Sequence, residues 1–185
     1  PPQLGNPASP EGAMQASVKQ LIEADINRLP AWISVGAVVA ALLLQAYLPL
    51  FFSYANTVDF PLLITIYLTL LRRSPIVGLL IGLGIGLAQD SLSHGPIGLY
   101  GIIKTVIGYV CSSFTLILAV EPLFTRLVLV LAFYLIHQAS FWGMQRVLLG
   151  QPVDFVWRRT AVLALVNCLI AALLYRFLDR FRQRI

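Results

Sequence analysis

The chain has 185 residues, of which 58% are hydrophobic and only 11% charged, and its mean hydropathy is +0.83. Soluble domains carry about one quarter charged residues, so this composition excludes a water-solvated globular protein and makes lipid the main solvent. The net charge of +5 does not point to nucleic acid, because the basic residues cluster at the ends of apolar runs, as in cytoplasmic membrane loops.

Residues 1–13 are rich in Pro and Gly with no apolar period, and read as a disordered tail or an appended remnant ahead of Met14. Residues 14–29 place Val18, Leu21, Ile22, Ile26 and Leu29 at helical spacing, with Lys19, Glu23, Asp25 and Arg28 on the other side. That pattern predicts an amphipathic helix on the cytoplasmic membrane surface. The first apolar run begins near Ala31 and is long enough for a span rather than the short core of a cleavable signal peptide.

Residues 30–185 are expected to form a single six-helix transmembrane domain, an all-α polytopic membrane protein. The apolar segments are roughly 31–51, 58–71, 76–92, 98–119, 123–148 and 159–178. The second is short for a span; Asp59 precedes it and Arg72-Arg73 ends it. Pro30, Pro61, Pro75 and Pro122 each stand at a helix start, where the missing N–H costs nothing. Pro49 lies near the end of the first helix, and Pro96 and Pro152 lie in connections.

A cytoplasmic N-terminus puts Lys19, Arg28, Arg72, Arg73, Arg126, Arg176, Arg180, Arg182 and Arg184 inside, against Arg146, Arg158 and Arg159 outside. The bias predicts that both termini are cytoplasmic. Trp32, Tyr54, Trp142 and Trp157 lie near span ends, as an aromatic belt would. Cys111 and Cys168 fall inside apolar runs and read as small buried hydrophobes.

Eight of the 13 glycines lie between Gly78 and Gly108. The third segment carries Gly78, Gly82, Gly84 and Gly86, and the fourth carries Gly101 and Gly108 together with Thr105 and Ser112. Small residues at this spacing let helix backbones approach closely in lipid; a ligand against bare backbone is the other reading. A phosphate-binding loop is excluded, because no strand precedes the glycines and no Lys-Ser/Thr follows them. Gly95, Pro96 and Gly98 predict a tight turn between these two helices.

Asp90 and Lys104 are the ionisable groups that stand out, since charges inside a membrane are costly without a partner or a task. Asp90 ends the third helix, and Lys104 lies about 9 Å below the turn at 1.5 Å per residue. An ion pair between them is expected, structural or in contact with a partner. Gln45, Gln89, His137 and Gln138 share the outer half of the bilayer, with Asn167 nearer the middle. They suggest an outer polar pocket, or separate hydrogen-bonding groups between helices. His137 has no companion at metal-ligand spacing. There is no His-Glu-x-x-His, no Gly-x-Ser-x-Gly elbow, and no second buried Asp to partner Asp90 in intramembrane proteolysis. Neither catalysis nor a cofactor or metal is expected.

The stretch from Asp59-Phe60-Pro61 through Arg72-Arg73 and the glycine helix to Gln89-Asp90 resembles the rod shape-determining membrane protein family MreD. So do the Gly95-Pro96-Ile97-Gly98-Leu99-Tyr100-Gly101 turn, Lys104, and Gly108-Tyr109. The tail, Gly150-Gln151-Pro152, Trp157-Arg158-Arg159 and Arg176-Phe177-Leu178-Asp179-Arg180, fits the same family. The resemblance covers about Ala31 to the C-terminus. It implies a non-enzymatic, multi-pass protein of the bacterial inner membrane within the cell-elongation machinery that organises peptidoglycan synthesis. It further implies the single-span partner MreC, and through it MreB and RodA with its transpeptidase. The family's fold is similar to that of vitamin-binding subunits of energy-coupling-factor transporters, which leaves small-molecule binding for a transporter as the alternative.

Overall fold

A computed structural model describes residues 29–51, 58–72, 74–93, 95–117, 120, 122–147, 149–150 and 156–181. The tail over 1–13, the amphipathic helix over 14–29 apart from Leu29, and Tyr54, Arg73, His94, Pro152, Arg182 and Arg184 lie outside the described residues. The described part is all-α: α1 (Ala31–Phe51), α2 (Phe60–Leu70), α3 (Pro75–Leu92), α4 (Leu99–Phe114), α5 (Leu123–Val147) and α6 (Trp157–Leu178), then a 3₁₀ turn at Asp179–Phe181. α1, α3, α5 and the run Trp157–Phe181 are long and apolar enough to cross a membrane. The chain is a polytopic membrane protein.

α2 is the exception that organises the rest. Its 11 residues span about 16 Å at 1.5 Å per residue, roughly half of a hydrocarbon core about 30 Å thick. Every residue from Pro61 to Leu70 is buried, and α2 touches all five other helices. It is a central post. α1 is the opposite case, with Ala41 its only buried residue and with Trp32, Val35, Tyr47, Leu50 and Phe51 exposed. In lipid such a surface carries no penalty.

The tightest packing joins α3 to α4. A side chain at Gly78 would strike the Gly108 carbonyl and Ser112; at Gly82, the Lys104 carbonyl; at Gly86, the Tyr100 carbonyl and Gly101. From the α4 side, Gly108 faces Gly78 and Gly82, and Gly101 faces Leu87 and Asp90. Four-residue spacing keeps Gly78, Gly82 and Gly86 on one face of α3, so the two backbones touch along an antiparallel seam. Gly84 is two residues out of phase. It is exposed, with nothing near a built side chain, and it does not belong to the packing face on which the sequence reading placed it. Gly98 adopts φ 99°, a left-handed turn that glycine enters without strain. Gly95 and Pro96 lie exposed in the same connection.

Candidate functional site

The start of α2 lies inside the bundle, so its free N–H groups cannot rely on water. Each one is met. Asp59 caps the helix, its Oδ1 accepting from the Leu62 N–H at 2.9 Å. The Phe60 N–H donates to Gln45 Oε1 at 3.1 Å, and the Asp59 N–H donates to Asn167 Oδ1 at 3.1 Å. Pro61 has no N–H to satisfy, and the Leu63 N–H reaches the Asp59 carbonyl in the first helical bond. Asn167 is in turn held by donating to the Leu163 carbonyl at 2.8 Å.

The Asp59 carboxylate does more than cap. Lys104 Nζ donates to both of its oxygens at 3.0 Å. His137 Nε2 lies 3.5 Å from Oδ2. The Lys104 side chain is completely buried and that of Asp59 is 14% exposed. Tyr100 covers the cluster, its ring 5.5 Å from Nζ and stacked with Phe141 and His137. A carboxylate that accepts from an N-terminal amide and, at both oxygens, from the Lys104 ammonium has few lone pairs left. The arrangement ties the start of α2 to α4 through Lys104.

The expected pair of Asp90 with Lys104 is therefore corrected. Asp90 Oδ1 accepts from the Tyr100 N–H at 3.1 Å, and Oδ2 from the Gly101 N–H at 2.8 Å. The cause is local. Gly98 occupies the N-cap of α4 and offers no side chain, so the first amides of α4 would be orphaned. The glycine seam brings the end of α3 against them, and Asp90 caps a helix other than its own. Lys104 points off the seam toward α2. Asp59 is a second acid within the bundle, its side chain 14% exposed, and it is occupied by Lys104 and a helix cap.

The outer-half residues divide between two places. His137 joins Asp59, and Gln138 donates to the Tyr134 hydroxyl at 3.2 Å. Gln45 and Gln89 instead line a cavity of about 310 Å³ between α1, α3 and α4, together with Tyr100 and Ser93. Asp59, Asn167 and Tyr100 were missed as site residues. The usable signal was Asp59-Phe60-Pro61, a helix-capping acid with proline just inside, which the sequence reading used only as a boundary.

Around the opposite end of α2 a second cluster closes the bundle. Arg126 in the first turn of α5 donates to both Asp179 oxygens at 3.0 Å and to the Val120 carbonyl at 2.8 Å. The Tyr67 hydroxyl donates to Asp179 at 2.8 Å, and Ser112 donates to the Thr69 carbonyl at 3.1 Å. Among the described residues no group of three or more His, Cys, Asp or Glu is placed to hold a metal ion.

Residues 26–185 match the family described as rod shape-determining protein MreD. The chain belongs to the MreD family. It is thus a membrane protein of the rod-shape machinery, and both clusters and the glycine seam lie within the matched residues. No curated protein and no solved structure matches the chain.

Proposed function

We propose that this chain is a non-enzymatic, multi-pass component of the bacterial inner membrane, with six crossing segments and both termini cytoplasmic. It binds the single-span protein MreC and helps to organise peptidoglycan synthesis during cell elongation, with MreB and RodA and its transpeptidase reached through that complex. The observation that carries this reading is the MreD match across 26–185. The saturated Asp59 carboxylate supports a scaffold rather than a catalyst. An acid held by a helix cap and by an ammonium on both oxygens is poorly placed for general-base chemistry.

Native mass spectrometry on protein gently extracted from its host membrane tests the reading. A stoichiometric MreC-type partner is the expected result. The cavity beside Gln45 and Gln89 keeps the transporter alternative in view. A vitamin-sized bound mass, with no single-span partner, would overturn the scaffold reading in its favour.

A further inference from the structure

Gln89 lines the cavity between α1, α3 and α4, and its amide oxygen, sealed behind the cavity surface, is an acceptor that the described residues leave unused. Gln89 is 6% exposed, and its amide oxygen has no hydrogen-bonding partner among the described residues. Such a group is costly when its hydrogen bond is left unmade, and native interiors rarely keep one without a reason. Gln45 stands on the facing wall. Its oxygen is committed to the Phe60 N–H, so its NH₂ group is what it can offer to the cavity. Tyr100 forms part of the wall, Ser93 adds a hydroxyl, and Leu42, Leu50 and Leu92 add apolar surface. No lining residue is charged, and the charges nearby are already engaged, Asp90 by two amides and Lys104 by Asp59.

We infer that this cavity binds an uncharged, hydroxyl-bearing molecule with an apolar body. A hydroxyl gives a proton to Gln89 and accepts one from Gln45, which is the complement of the two free ends. An ion would have to shed its water with no counter-charge to meet. The same chemistry is offered by an uncharged lipid headgroup or by a free amphiphilic alcohol. The inference does not depend on any partner of the chain.

The test is native mass spectrometry of the full chain in phosphatidylcholine nanodiscs, with three probes. 1-Monooleoylglycerol represents the lipid source and 1,2-octanediol the soluble source. Oleate has the chain of the first probe but a charged head. One copy of an uncharged probe retained per chain, with oleate not retained, is expected; which of the two persists identifies the source. Gln89→Leu should cut retention roughly tenfold, the loss of one buried hydrogen bond, and Ala46→Trp should abolish it by filling the space. Thermal unfolding of Gln89→Leu checks that the variant is folded. Equal retention by wild type, Gln89→Leu and Ala46→Trp marks surface lipid and overturns the inference, as does retention of neither uncharged probe.

Discussion

At its first turn α2 meets a carboxylate, an ammonium, an imidazole and two side-chain amides; near its last turn it meets a serine hydroxyl and an Arg126–Asp179 pair bridged by Tyr67. The two ion pairs have the same 3.0 Å separation, but their surroundings differ. Asp59 is level with Asn167, midway along α6, and Lys104 is fully buried. Asp179 follows the end of α6 and its side chain is 34% exposed. If its cation is lost, Asp59 in the middle of the bundle is left largely out of water, whereas Asp179 at the edge can exchange the protein for water or headgroups, although Arg126 itself is buried. A half-length helix creates this asymmetry: by beginning inside the bundle, level with Asn167, α2 brings a set of bare amides into the interior. Asp59, Gln45 and Asn167 are the consequence, and Lys104 balances the charge that Asp59 introduces.

The sharpest way to break the comparison is to remove one cation at each end. Lys104→Met should cost about 3–5 kcal/mol, because it strands a buried carboxylate. Arg126→Met should cost less, about 1–2 kcal/mol, because Arg126 is buried but the Asp179 carboxylate it leaves is 34% exposed and can be hydrated. Detergent-denaturation curves followed by circular dichroism give both. Asp59→Asn retains a good cap, so adding it to Lys104→Met should recover much of the loss. Equal losses at the two ends, or no recovery in the double variant, would show that depth does not set the energy. Salt gives a second reading: raising ionic strength should shrink the Arg126 effect and leave the Lys104 effect in place, since buried pairs are screened far less.

The sequence made the long helices and the glycine seam readable, and hid the partners. Eighteen or more apolar residues in a run admit little but a span, and Gly78, Gly82 and Gly86 mark a face by their spacing alone. Gly84 was grouped with them because density of glycine is easier to see than phase. Lys104 was assigned to Asp90 because the turn brings them near, but its partner lies 45 positions away on a helix whose depth depends on all the others. Asn167 and Asp59 are 108 positions apart; no local pattern connects them. Arg126 was read only as a count toward orientation, while its contact with Asp179 is set by how α5 and α6 pack.

The seam offers the next test, because it holds α4 where Lys104 can reach α2. Gly82→Ala drives a methyl group into the Lys104 carbonyl and should cost about 1–3 kcal/mol, as overpacking does. Gly84→Ala meets nothing and should be neutral or stabilising by up to about 1 kcal/mol through helix propensity. The same denaturation measurement separates them. If both behave alike, the close approach of α3 and α4 is not what positions Lys104.

The smallest expected effect probes how far the edge cluster depends on each bond. Tyr67→Phe deletes only the hydroxyl that donates to Asp179. The ring remains, and with it the contact to Tyr175 at 4.9 Å. Asp179 keeps both bonds from Arg126 and is exposed enough to recruit water in place of the lost donor. The cost should therefore be about 0.5–1 kcal/mol, toward the low end of single hydrogen bonds, and nearly additive with Lys104→Met, because the two sites share no partner. A loss of several kcal/mol, or strong coupling to Lys104→Met, would mean that α2 transmits strain from one end to the other. The post would then act as a rigid connection between the clusters, and the contrast in exposure would no longer explain their energies.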